Sequence, residues 1–105
     1  MSNQELPKNY QLMQKQHPDL IQAVSNLGQA VRKEGPLDEK SVELLQMSAA
    51  AALRLEGAVH SHARRALKAG ASPEEIRHAL VVLTSTTGFP TVAAAMSWVR
   101  DVLQE

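Results

Sequence analysis

Residues 38–76 read DEKSVELLQMSAAAALRLEGAVHSHARRALKAGASPEEI, and the fold turns on where this stretch bends. Ala, Leu, Glu, Lys and Arg dominate it, and no run alternates with period two, so it reads as helix. Asp38 is placed to cap the start, with Glu39 in the first turn. Leu44, Leu45, Ser48, Ala49, Ala52 and Leu55 then supply a broad face made mostly of small residues. A single straight rod over 38–69 would be ~48 Å long at 1.5 Å per residue. A 105-residue domain has a radius of gyration of only ~13 Å. A break is therefore required. Arg54-Leu55-Glu56-Gly57 is the expected place, because Gly57 is the only glycine between Gly35 and Gly70. The expectation is a helical hairpin or a sharp bend there.

The flanks carry their own punctuation. Gly70 ends the helix behind it as a C′ residue. Ser72-Pro73-Glu74-Glu75 combines an N-cap serine, a proline at the first helical position and a glutamate at the third, which is a capping box. Ile76, Ala79, Leu80 and Leu83 face inward from that helix. Thr84-Ser85-Thr86-Thr87-Gly88-Phe89-Pro90 interrupts the pattern, and a last helix runs from about Thr91 to Leu103. On the other side, Pro18-Asp19 opens a helix whose Leu20, Val24, Leu27 and Val31 form an apolar stripe. Gly35-Pro36 stops it. Residues 1–17 are polar, hold Pro7, and read as a mostly loose N-terminal arm whose Tyr10, Leu12 and Met13 can dock on a neighbour. The domain organisation is thus an arm over 1–17 and one helical domain over 18–105.

Composition narrows the class. Fifteen alanines against three aromatic residues point to an all-α protein with close helix contacts and little buried area per residue. Further burial between subunits is expected for that reason. Eleven basic side chains balance eleven acidic ones, so no overall field draws the chain to nucleic acid or to an acidic membrane surface. The absence of cysteine removes disulfides, thiol redox chemistry, zinc–thiolate sites and cysteine nucleophiles. No apolar run reaches the ~20 residues of a membrane span, and the polar start does not read as a signal peptide. A cytoplasmic location is the default expectation.

Four titratable residues can carry chemistry. His62 projects from a stripe that also holds Leu55, Ala58, Val59, Ala66 and Ala69, and an imidazole there needs a hydrogen-bond partner. Glu43 can be that partner if the two helices fold back on each other, and a carboxylate would then orient the imidazole for acid–base work. The alternatives are a satisfied core histidine and a solvated helix glutamate. Glu56 and His60, four apart, share a helix face: half of a metal or acid–base site, or an ordinary surface pair. His60 and His62 are about 200° apart on a helix, so one metal ion is poorly held by both. A metal site from Glu43, Glu56, His60 and His62 therefore ranks lowest. Thr86, Thr87, Gly88 and Thr91 can bind a polar substrate through hydroxyls and the free N–H groups of a helix start, or can form a tight interhelical loop.

Residues 56–103 resemble the carboxymuconolactone decarboxylase and alkylhydroperoxidase D superfamily. The shared pattern is His62, Ala66, Gly70, Pro73-Glu74-Glu75-Ile76 and Gly88-Phe89-Pro90. With the helix from Glu39, the likeness covers about 38–103. It implies an all-helical fold with a central antiparallel helical hairpin, assembled as trimers or hexamers. In the hydroperoxidase branch a glutamate lies nineteen positions before the histidine, which is Glu43 here. That branch's cysteine pair falls on Leu55 and Ala58, so thiol peroxidase and disulfide reductase activity are excluded. The decarboxylase branch converts a γ-lactone acid by proton transfer and loss of CO2, with no metal or organic cofactor. Its glutamate four before the histidine falls on Ala58, and Glu56 lies six before. Two expectations follow. One is a cofactor-free acid–base lyase acting on a small carboxylated or lactone-like metabolite. In it His62 is the acid or base, Glu43 its partner, Glu56 or His60 a second proton carrier, and the Thr86–Thr91 loop binds substrate. The other is a non-catalytic oligomeric binding or scaffold protein that keeps the fold.

Overall fold

The computed structural model describes residues 6–105, and among them the chain forms seven helices and no strand. These are α1 (Lys8–Gln16), α2 (Pro18–Arg32), α3 (Glu39–Ala52), α4 (Glu56–Lys68), α5 (Pro73–Val81), α6 (Thr84–Thr87) and α7 (Phe89–Leu103). None is long and apolar enough to cross a membrane. The chain divides into two compact units, Met1–Pro36 and Leu37–Glu105.

The first unit holds α1 and α2. Residues 1–5 of the expected arm lie outside the described residues, but 8–16 are helical rather than loose. Pro7 precedes the helix with an extended ψ of 146°, its carbonyl accepts from the Gln11 N–H, and the Gln11 side chain donates to the Leu6 carbonyl at 2.7 Å. Those bonds tie the start of α1 to the chain before it, in place of an N-cap side chain. In α2 the expected stripe is periodic but uncovered: Leu20, Val24, Leu27 and Val31 are all about half exposed or more, and Ile21 is the buried residue. A nine-residue α1 offers too little surface to cover that stripe as well.

The second unit is built on a hairpin of α3 and α4. Asp38 caps α3, its carboxylate accepting from the Ser41 N–H at 2.8 Å. The break after α3 falls at Leu53-Arg54-Leu55, which overlaps the expected Arg54-Leu55-Glu56-Gly57 stretch, while Glu56 and Gly57 already belong to α4. The Leu55 N–H donates to the Ala50 carbonyl and the Arg54 N–H to that of Ala51, at 2.9 and 3.0 Å. This is a Schellman closure whose left-handed residue is Arg54, φ +59°, in place of the usual glycine. Glycine content therefore marked the neighbourhood of the bend and not its left-handed residue. The far end of α4 closes the same way with Gly70 (φ +103°), Ala71 donating to Ala66 and Gly70 to Leu67. The capping box at α5 forms as the sequence spells it, with Glu75 N–H to Ser72 Oγ at 3.1 Å and Ser72 N–H to Glu75 Oε1 at 2.9 Å.

Met47, Val59, Ile76, Leu80 and Val99 are the largest fully buried side chains, and Ala51, Ala63, Ala66 and Ala95 close the spaces between them. The inward face of α3 is Glu43, Met47, Ala50 and Ala51. The expected face is corrected here: Leu45, Ala49, Ala52 and Leu55 are exposed, and Leu44 and Ser48 are half-buried. Four consecutive alanines give no apolar contrast around the helix, so periodicity could not fix its rotation.

Candidate functional site

The single buried charged side chain among the described residues is Glu43, 2% exposed, in the second turn of α3. Placing a carboxylate among Met47, Ala50 and Ala51 is costly unless its oxygens are met. One is met by His62 from α4: Nδ1 lies 2.8 Å from Glu43 Oε1. The hairpin makes this possible, since it sets residues nineteen apart in sequence side by side. An ionised carboxylate only accepts, so Nδ1–H donates and Nε2 is the ring atom left for proton exchange. The His62 side chain keeps 17% exposure while its partner keeps 3%, so the imidazole is far more open to solvent than the acid.

The other expected site residues are not gathered here. His60 Nε2 lies 4.0 Å from Glu56 Oε2, one turn apart on α4, with the glutamate mostly exposed. Residues two apart on a helix point to nearly opposite sides, so this pair and the His62 pair occupy different faces of α4. Among the described residues no three acid or histidine side chains converge to hold a metal ion. The hydroxyl segment is a helical turn, α6, followed by Gly88 at φ +97°. Thr87 Oγ1 donates to the Leu83 carbonyl at 3.0 Å, Thr91 Oγ1 accepts from Arg54 Nη1 at 3.0 Å, and Thr86 is exposed. Thr87 and Thr91 thus have local partners, and Arg54 links the hairpin turn to the start of α7.

Two features were missed in the sequence. A cleft of about 300 Å³ is lined by Glu39, Glu43, Arg65, Lys68 and Ala69, so Glu43 borders it with two cations of α4. The available signal was their spacing, three and six residues after His62. The second is an apolar groove of about 430 Å³ along α5 and α7, lined by Val81, Phe89, Val92, Ala93, Met96 and Arg100 among others.

Residues 18–101 match the carboxymuconolactone decarboxylase family. The chain belongs to that family. Among solved structures, a carboxymuconolactone decarboxylase family protein from Legionella pneumophila, crystallised in its apo form, superposes with a TM-score of 0.76. It is 29% identical, and the likeness covers 88% of this chain and 82% of that one. An uncharacterized protein of Methanocaldococcus jannaschii is 29% identical over 92 residues, 88% of this chain and 86% of its own length. The all-helical fold expected from the resemblance is the observed fold. This member of the carboxymuconolactone decarboxylase family contains no cysteine.

Proposed function

We propose that this family member is an acid–base enzyme acting on a small carboxylated or lactone-like metabolite, a decarboxylase-like lyase that uses no cofactor. The observation that carries the reading is the 2.8 Å contact between His62 Nδ1 and the buried Glu43 carboxylate. In it Glu43 orients the ring and offsets the imidazolium charge, while His62 Nε2 exchanges protons with substrate. In a decarboxylation the C–CO2 bond breaks and its electron pair stays on the substrate. The imidazolium then delivers a proton to that carbon and is recharged from solvent, so atoms and charge balance. Glu56 and His60 stand apart from the pair and serve, on this reading, as a relay at most.

The test follows the His62 ring by NMR with a panel of γ-lactone acids and dicarboxylic acids, alongside turnover of the same compounds. Ligand-dependent shifts at His62, with turnover lost in His62→Asn, are the expected result. A ring that responds to none of them, with His62→Ala changing stability alone, would establish the alternative of a binding or scaffold protein. We further read the working form as a homo-oligomer, with the three or six copies that the resemblance implies. The support is the uncovered α2 stripe and the exposed Phe89 and Leu53. Such a row of large apolar side chains is costly to leave in water.

A further inference from the structure

The Glu43–His62 contact leaves a question of charge. Glu43 is a carboxylate at 2% exposure, and one imidazole nitrogen meets only one of its oxygens. A buried carboxylate without nearby positive charge takes up a proton instead, and a protonated acid no longer fixes the ring as an ionised one does. Positive charge is at hand beside it. Glu43 shares the cleft at the foot of the hairpin with Arg65 and Lys68. Along α4 these lie about 4.5 and 9 Å beyond His62 at 1.5 Å per residue. Side chains on a helix lean toward its N-terminus. In the antiparallel hairpin, Arg65 and Lys68 therefore lean back toward the level of His62, and Glu43 leans down toward the start of α3, so the three converge. Glu39 is the other charged group lining the cleft. Lys40, next to it in sequence, is held by Glu75 at 3.0 Å.

We infer that Lys68 and Arg65 are positioning residues of the site. They form a positive wall on the solvent side of Glu43, keep its carboxylate ionised, and so hold His62 in the Nδ1–H form with Nε2 open. The inference rests on reading Glu43–His62 as an acid–base pair and adds the groups that set its charge state. It separates these cations from a plain helix-end role, in which basic side chains in the last turn of α4 offset the dipole and leave Glu43 untouched.

The experiment uses the full chain with 13C-labelled glutamate and 15N-labelled histidine, and needs no substrate. The Glu43 carboxyl is titrated in the native protein, in Lys68→Met, in Arg65→Met and in the double variant, with Lys68→Arg and Arg65→Lys as conservative controls. Both cations are exposed, so the fold should survive, and far-UV circular dichroism checks that it does. Expected is an upward move of the Glu43 midpoint by about one pH unit or more in the double variant. The His62 15N pattern should move away from the Nδ1–H tautomer in step, and the conservative variants should behave as native. An unchanged Glu43 midpoint in the double variant overturns the inference, and so does a shift that the conservative variants fail to reverse. Because the readout is a charge state, a protein that binds none of the trial ligands defeats the proposed chemistry without touching this result.

Discussion

At the scale of single residues, Glu43 and His62 should be separable into charge and shape. Glu43→Gln keeps an oxygen for Nδ1–H and nearly the same volume, so the fold should persist. Turnover should fall by about 10²–10⁴, the range supplied by a positioned acid–base group. A steady-state assay beside a thermal melt checks both halves. Met47 gives the opposite case: it is fully buried and touches no chemistry. Met47→Ala should cost about 2–5 kcal/mol in a denaturant titration. The Glu43–His62 pair was legible through the need of an apolar stripe to satisfy its one imidazole, and through the spacing of nineteen that the family resemblance supplies. The cleft cations were not, because Arg and Lys near the end of a helix have a sufficient local explanation. Only the packing of α3 on α4 shows that they also border a buried acid.

Between residues and fold stand the helix ends. Arg54 occupies a left-handed position that suits glycine, and its guanidinium donates to Thr91. Substituting Ala or Gly removes that bond equally, so comparing the two isolates the backbone. Arg54→Gly should be more stable than Arg54→Ala by about 1 kcal/mol in chemical denaturation. The caps of α3 and α5 set a pH dependence. Asp38 is held below its ordinary value by hydrogen bonds from the Ser41 side chain and backbone, and Glu75 by the Ser72 N–H and then by Lys40. A carboxyl that titrates lower when folded adds stability above its unfolded value, about 4, and that stability is lost as pH falls through the folded value. Melting temperature should therefore drop on acidification below about pH 4, and Asp38→Asn with Glu75→Gln should flatten that drop. The α5 start was fully legible, since a serine, a proline and two glutamates specify one local geometry. The α3–α4 turn was legible as a necessity of length and, through Gly57, to within a residue or two of its place. Its left-handed residue was hidden because nothing marks an arginine for that conformation. The helix over 8–16 was missed because its sequence is polar and its start lacks a capping side chain.

On the scale of the whole molecule, the proposal of a homo-oligomer meets its test in α2. Leu27 is 63% exposed within a stripe that the single chain leaves bare. Leu27→Glu should lower the mass measured by light scattering toward that of one chain while helicity is kept. An unchanged mass would move the subunit contact elsewhere, with Phe89→Glu the next variant. The class, all-α with a hairpin, was readable from composition and length, whereas the rotation of α3 was not, because its alanine run looks alike from every side. The same alanines shape how this chain can change. With Ala51, Ala63, Ala66 and Ala95 sealed between helices at 1% exposure or less, even one added methylene group there meets a neighbouring backbone or side chain and strains the packing. Evolution and engineering alike must then diversify the protein through its outward positions. A library restricted to these four positions should return almost nothing but alanine, glycine and serine.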